Sequence, residues 1–357
     1  MKLNKLILTA IAGSFFFVSC SSDDDSTTNE PRGAYDNGLL ILNEGGYNAG
    51  NASVSFLSEE NILENNVFAT INSGATLGDT GQDMGMHGET AYIVVNNSHK
   101  IEVVNRFTFE RITTITTDLD NPRYIAFSGN DAYVTNWGDP NDTEDDYVAV
   151  IDLATNAVTN KISVVEGPEA IVENNGKLYV AHKGGFGYGN TVSVINASNG
   201  SVVKSIAVGD VPNSLEIDGN NLYVLSEGLP SWSGTETPGE LSVINMSNDS
   251  VEEIYPFTGT THPSNFVVSD NTAYYTINDG IYAMNTSDTS LPANPLFTTT
   301  PQEVYGVYEL AVKNDAIYVA DAGDYNSDGK IYIYSLTGTL QQTFTVGVIP
   351  AGFYFND

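Results

Sequence analysis

The chain has 357 residues, with 45 Asp and Glu against 13 Lys and Arg and a formal net charge of −32. A surface that negative repels phosphate backbones and anionic headgroups, which argues against nucleic-acid binding and electrostatic docking on a membrane. A single cysteine leaves no intramolecular disulfide, no Cys-rich zinc site and no c-type haem attachment.

Lys2 and Lys5 precede an apolar run from Leu6 to Val18 that ends in Ser19-Cys20. The run is too short to cross a hydrocarbon core of about 30 Å as a helix, and it reads as the core of a signal peptide. Phe17-Val18-Ser19-Cys20 resembles a bacterial lipobox, with Cys20 at the position that carries lipid. Residues 1–19 are therefore expected to be a lipoprotein signal peptide, and the membrane is met only through the lipid on Cys20. Ser21-Ser22-Asp23-Asp24-Asp25 resembles the acidic export signal of Bacteroidota lipoproteins that face the cell exterior from the outer membrane; a solvated linker is the plainer reading. Residues 20–34 lack apolar periodicity and are expected to be a disordered tether with a reach of roughly 20 Å.

From residue 35 a motif recurs: a short apolar strand with a central aromatic, a polar break, a second alternating strand and a turn rich in Asn, Ser, Gly and Asp. Its copies centre on Leu40, Tyr92, Tyr133, Tyr179, Tyr223, Tyr274 and Tyr318, at intervals of 41 to 52 residues. That period belongs to a propeller blade of four strands. The partner strands Val148–Asp152, Val192–Asn196 and Leu241–Asn245 carry small residues between aliphatics, which suits packing between neighbouring blades. No sustained 3.6-residue stripe occurs, so the fold class is all-β, a seven-bladed β-propeller over residues 35–357. No full innermost strand precedes Leu39, and Val346–Phe353 resembles the innermost strand around Pro212. The C-terminal strand is expected to complete the N-terminal blade and close the ring.

Tyr133-Val134-Thr135-Asn136 spells the tetrapeptide of the YVTN family of propeller repeats, and the wider pattern resembles YncE-like seven-bladed propellers. The signal peptide, lipobox and acidic tether ahead of it also resemble surface lipoproteins with which gut Bacteroidota capture cobalamin. That resemblance implies a corrinoid ligand; it carries over no site residue by residue.

With strands lettered a to d from the axis outwards, the a–b and c–d turns are short and ordinary. The b–c loops, residues 43–51, 136–146, 182–190, 226–239 and 321–329, are longer and hold Tyr47, Trp137, Phe186, Tyr188, Trp232 and Tyr325, with His182 and His262 on the same face. Aromatics concentrated on loops point to a binding surface, unless they only pack on one another. Strand a starts after Pro122, Pro168, Pro212, Pro263 and Pro350, so Gln82, Arg123, Glu169, Asn213, Ser264 and Tyr308 are expected to ring the channel mouth. Mixed donors and acceptors around one axis suit a polyfunctional ligand, against the plainer reading of a water-filled funnel with ordinary strand starts. A corrinoid comes first by the resemblance alone, and a glycan second because Trp and Tyr platforms stack on sugar rings.

Asp324-Tyr325-Asn326-Ser327-Asp328-Gly329 matches the first half of a calcium loop, so Asp321, Asp324, Asn326 and Asp328 form a candidate structural calcium site, against a tight Asx-rich turn. Asp139, Asp142, Glu144, Asp145 and Asp146 read as a solvated acidic loop. No nucleophile elbow, zinc helix or phosphate loop is present, and the expected protein is a binder and not an enzyme. The alternatives are a protein-interaction scaffold at an outer-membrane transporter and a metal-dependent propeller hydrolase using Asp83, Glu169 and Asn213.

Overall fold

Period-two alternation in seven consecutive segments folds as seven four-stranded antiparallel sheets. The computed structural model describes residues 31–304 and 306–357. The signal-peptide run, Cys20 and the acidic stretch to residue 30 lie outside the described residues. Each sheet is one blade of a seven-bladed β-propeller, and the repeat centres Leu40 to Tyr318 all fall on b strands.

The C-terminal strand Pro350–Phe355 pairs antiparallel with Gly38–Asn43, from Leu39 opposite Phe355 to Asn43 opposite Pro350. It is the innermost strand of the first blade, so the ring is closed as the sequence implies. Val346 to Val348 belong instead to the outermost strand of the last blade, Leu340–Val348. Buried Asn356 fastens the joint: its amide donates to the Tyr35 carbonyl at 2.6 Å and the Arg106 carbonyl at 2.8 Å.

The central tyrosine of the motif has a structural purpose. Tyr92 donates to Asn156 at 3.0 Å, Tyr133 to the Ala197 carbonyl at 2.9 Å and Tyr179 to Asp249 at 2.7 Å, each acceptor lying in the c–d turn of the next blade. The ring is buried in the interblade core while its hydroxyl reaches a partner, which is how a buried tyrosine is best accommodated. Each staple thus couples one blade to the next.

Helix is confined, among the described residues, to Val67–Ile71 and two single 3-10 turns, Ser231–Ser233 and Thr300–Gln302. Val67–Ile71 follows an outer strand of only two residues, Leu63–Glu64, and buries Val67 and Phe68 where a longer strand would pack. No helix among the described residues is long and apolar enough to cross a membrane. Arg32, which the sequence assigns to the tether, already belongs to the ring: its guanidinium sits 3.8 Å from the Phe107 ring centre and pairs with Asp36 at 2.8 Å.

Candidate functional site

The face carrying the b–c loops is built by one repeated device. The residue just before strand a is left-handed in five blades: Thr80, Asn121, Gly167, Val211 and Ile349 have φ of 62°, 47°, 66°, 60° and 55°. Its carbonyl accepts the N–H of a residue directly after strand b, with Asn96, Trp137, Lys183, Glu227 and Glu44 donating at 2.8, 3.2, 2.9, 3.0 and 2.7 Å respectively. Thr80, Val211 and Ile349 are β-branched, so the conformation is strained and held by these bonds.

Strand a then bulges. The register shifts after Gly81, Pro122, Pro168, Pro212, Ser264 and Pro350 in six blades. A bulge turns a side chain out of the pleat, and here the turned residues include Gln82, Arg123, Glu169, Asn213 and Asn265. Two rings of side chains result, one after the strand-a start and one after the end of strand b. Together they surround a cavity of about 1280 Å³ that runs into the channel.

All six residues expected at the mouth line it: Gln82, Arg123, Glu169, Asn213, Ser264 and Tyr308. Tyr47, Trp137 and Phe186 line it too, joined by His99. Arg123 makes two hydrogen bonds to Glu169, at 2.9 and 2.8 Å, and its guanidinium stacks 4.1 Å from the Trp137 ring. Trp137 is fixed in turn by its N–H on the Pro168 carbonyl at 3.0 Å and by the edge of Phe186, with ring centres 5.6 Å apart. Burial works against both charges of the pair, but the Coulombic attraction and the two hydrogen bonds outweigh it: Glu169 stays below the usual carboxylate range and Arg123 above its own. Removing one partner of such a pair is costly because it leaves the other charge buried and unpaired.

Other predicted residues lie outside this wall. His182 is fully buried at the end of its strand, with Nε2 2.8 Å from the Ser193 hydroxyl, and burial pushes its imidazole down to about 4. The expectation that it faces the ligand is corrected: side chains alternate along strand b, so residue 182 points between blades and Lys183 points to the mouth. His262 stands behind the wall, with Nδ1 2.8 Å from the Glu227 carbonyl and Nε2 3.2 Å from Glu236. Trp232, 82% exposed, and Tyr188 sit on the outer loops; Tyr325 touches the rim through Tyr308, ring centres 5.9 Å apart.

In the candidate calcium loop, Asp321 accepts the Gly323 N–H at 2.9 Å, and Asp324 accepts the Asn326 and Ser327 N–H groups at 3.0 and 2.7 Å. Asn326 donates to the Asp324 carbonyl at 2.8 Å, and Asp328 opens the next strand. These are Asx turns, and among the described residues no three His, Cys, Asp or Glu side chains gather as a metal site. In the acidic loop Asp146 is not solvated. It is buried, accepts the Gly167 N–H at 2.9 Å, and burial raises its carboxyl to about 6.

Sequence reasoning missed Glu44, Lys183, Glu227, Glu216 and Glu309, all in the cavity wall. Glu44, Lys183 and Glu227 share the position that places Trp137, one residue beyond strand b, so the repeat alignment itself carries that signal. Tyr308 donates to Glu44, and Asn213 donates to Glu227. Deeper, Asp83 accepts the Ile125 N–H at 2.9 Å and the Tyr354 hydroxyl at 3.0 Å. Burial lifts Asp83 to about 6, Glu309 to about 7 and Glu216 to about 8, the last helped by the Glu309 charge.

A closed seven-bladed ring with one furnished mouth defines the class. The chain belongs to the family described as a domain of unknown function, DUF5074, which matches residues 37–350. No curated protein matches it. Among solved structures it is similar to a quinonprotein alcohol dehydrogenase-like protein from Bacteroides thetaiotaomicron, at 16% identity and TM-score 0.68, covering 90% of this chain and 79% of that one. The computationally designed Ika8 protein follows at 12% identity and TM-score 0.57, covering 90% and 96%. Hydrazine synthase from Kuenenia stuttgartiensis is 18% identical with TM-score 0.55, covering 76% and 88%. At such identities the likeness is one of fold.

Proposed function

We propose that this propeller is a lipid-anchored protein of the outer cell surface that captures a small ligand in the channel-mouth cavity and performs no chemistry on it. The observation that carries the reading is the cavity itself. Its volume of about 1280 Å³ exceeds the roughly 300–1,000 Å³ of common small-molecule pockets, and its wall is pre-formed by the pinned, bulged strand starts. Such a site takes a large, polyfunctional compound. A corrinoid such as cobalamin is the first choice, resting on the resemblance of address and architecture, with hand-over to an outer-membrane transporter as the purpose of capture.

A binder is favoured over a hydrolase because the three candidate metal ligands are already engaged by the protein. Glu169 is held by Arg123, Asp83 by Ile125 and Tyr354, and the Asn213 side-chain oxygen by the Ser214 hydroxyl. A glycan is the second reading, favoured by the solvent-facing rings of Tyr47, Phe186, Tyr188, Trp232 and Tyr325 on this face.

Calorimetric titration with cobalamin and with a panel of neutral oligosaccharides, each with and without EDTA, separates these readings. Capture gives saturable one-to-one binding that EDTA leaves unchanged and that Gln82→Ala with Asn213→Ala weakens. Turnover of a lactone or ester substrate that EDTA abolishes would contradict the binder.

A further inference from the structure

Resting on the reading that the cavity holds a ligand, but not on that ligand being a corrinoid or a glycan, we propose that the cavity takes a positively charged compound: one bearing amine or guanidinium groups, seated between Glu216, Glu309 and Asp83 in the channel and Glu44 and Glu227 at the mouth.

The wall carries eight carboxylates, Glu44, Asp83, Asp120, Asp139, Glu169, Glu216, Glu227 and Glu309, against two cations, Arg123 and Lys183. Arg123 is consumed by Glu169, which leaves Lys183, whose charge acts on Glu169 and Glu227, as the other cation of the wall. None of Glu44, Asp83, Glu216, Glu227 and Glu309 has an ion-pair partner among the described residues. An anionic ligand would oppose ionisation of these carboxyls, whereas a cation favours it.

The protein itself displays the cage that a cation wants here. The Arg123 guanidinium lies between the Glu169 carboxylate and the face of Trp137, combining ion pairing with a cation–π contact. Glu44, on the Tyr308 hydroxyl beside the edge-on Tyr325 ring, has no guanidinium in contact; the Arg123 charge reaches it only from a distance. The ligand supplies a cation in contact with Glu44.

Burial first, and neighbouring carboxylates second, push Asp83, Glu309 and Glu216 above the usual carboxylate range. Asp83 faces the Glu169 charge and the Tyr354 hydroxyl, Glu309 faces Asp83, Glu216 faces Glu309, and Tyr124 stands among Asp83, Arg123, Glu169 and Glu309. A cation arriving among the carboxyls stabilises their ionised forms, so binding releases protons and strengthens as pH rises from about 6 to 8.

The test is calorimetric titration of the protein with spermine, a linear tetra-amine, at pH 7 and about 0.15 M salt, where exposed pairs are screened. It is run in two buffers of different ionisation heat, with tetraethylene glycol as a neutral probe of related shape. The expected result is one saturable spermine site, net proton release, no heat with the glycol, and at least tenfold weaker binding with less proton release in Glu216→Gln/Glu309→Gln. Proton release is read on the unaltered protein, so the test survives a variant that does not fold. If spermine does not bind, or binds without proton release, the charge inference is overturned. A Trp137 response to cobalamin or an oligosaccharide in that case would leave the cavity reading standing.

Discussion

At the scale of residues, the Arg123–Glu169 pair is the most heavily committed contact of the mouth. Replacing Arg123 with Met leaves Glu169 buried and unpaired, with an expected cost of about 3–5 kcal/mol in denaturant unfolding. Arg123→Met/Glu169→Gln removes both charges and is expected to cost less than the single change; equal or greater loss would mean that the charges do not meet as described. The channel carboxyls give a pH signature of opposite sense to an ion pair. Glu216 and Glu309 titrate near 8 and 7 in the fold, above an ordinary value of 4.5, so the folded state holds their protons more tightly. Their stabilising contribution is full below about pH 4.5 and is lost as pH rises through 7 and 8. Glu216→Gln/Glu309→Gln is therefore expected to gain on the order of 1–3 kcal/mol at pH 8, less than the sum of the single changes because the groups interact. Melts at pH 5 and pH 8 that remain parallel to the parent would refute this.

What the sequence made legible at this scale depended on strand position. Arg123 and Glu169 were readable because a proline marks the strand start. His182 was misassigned and Lys183 overlooked because a one-residue uncertainty at a strand end exchanges the interblade side for the mouth. Glu216 and Glu309 gave no local signal, since their proximity comes from two non-adjacent blades meeting at the axis.

At the scale of elements, the entry turn of strand a decides where the mouth residues stand. Gly167 has φ of +66°, and a Cβ there would lie 1.8 Å from the Gly185 nitrogen, against backbone that cannot yield cheaply. Gly167→Ala is expected to cost about 2–4 kcal/mol and to displace Glu169. Gly219→Ala is the control: its φ is +59°, but nothing lies within 4 Å of the added carbon, so only the left-handed strain of about 1–2 kcal/mol remains. Equal losses by chemical denaturation would show that the Gly167 turn is not packed on Gly185. The repeated strands, the small residues of strand c and the tyrosine centres were plain in the sequence. The bulges were not, because a bulge is a property of pairing between two strands and leaves no composition of its own. Nor did the acidic loop announce that Asp146 folds inward, since its fate is set by the Gly167 N–H, 21 residues further along.

At the scale of the whole molecule, closure by Pro350–Phe355 makes the seven blades one cooperative unit. Deleting residues 346–357 removes the innermost strand of the first blade, the Asn356 fastening and the Tyr354 hydroxyl on Asp83. The shortened chain is expected to lose cooperative unfolding altogether; a melting temperature within a few degrees of the parent would contradict the closure. Seven-fold repetition was the strongest signal in the chain because every blade must solve the same packing problem, and its interval survives loop insertions. The ligand is the least legible feature because the motifs that repeat encode packing and turns, whereas the wall of the cavity is where the blades differ.

The central claim is that the mouth cavity is a ligand site. The two tryptophans allow a direct reading, because Trp137 lines the cavity and Trp232 stands outside it. Fluorescence titration of a Trp232→Phe variant isolates Trp137, with cobalamin, spermine and oligosaccharides as probes. Saturable quenching or shift of Trp137 by one of them, abolished in Asn213→Ala/Gln82→Ala, is the expected result. A Trp137 signal that no probe changes, with binding heats that persist in the cavity variant, would place the ligand elsewhere and contradict the claim.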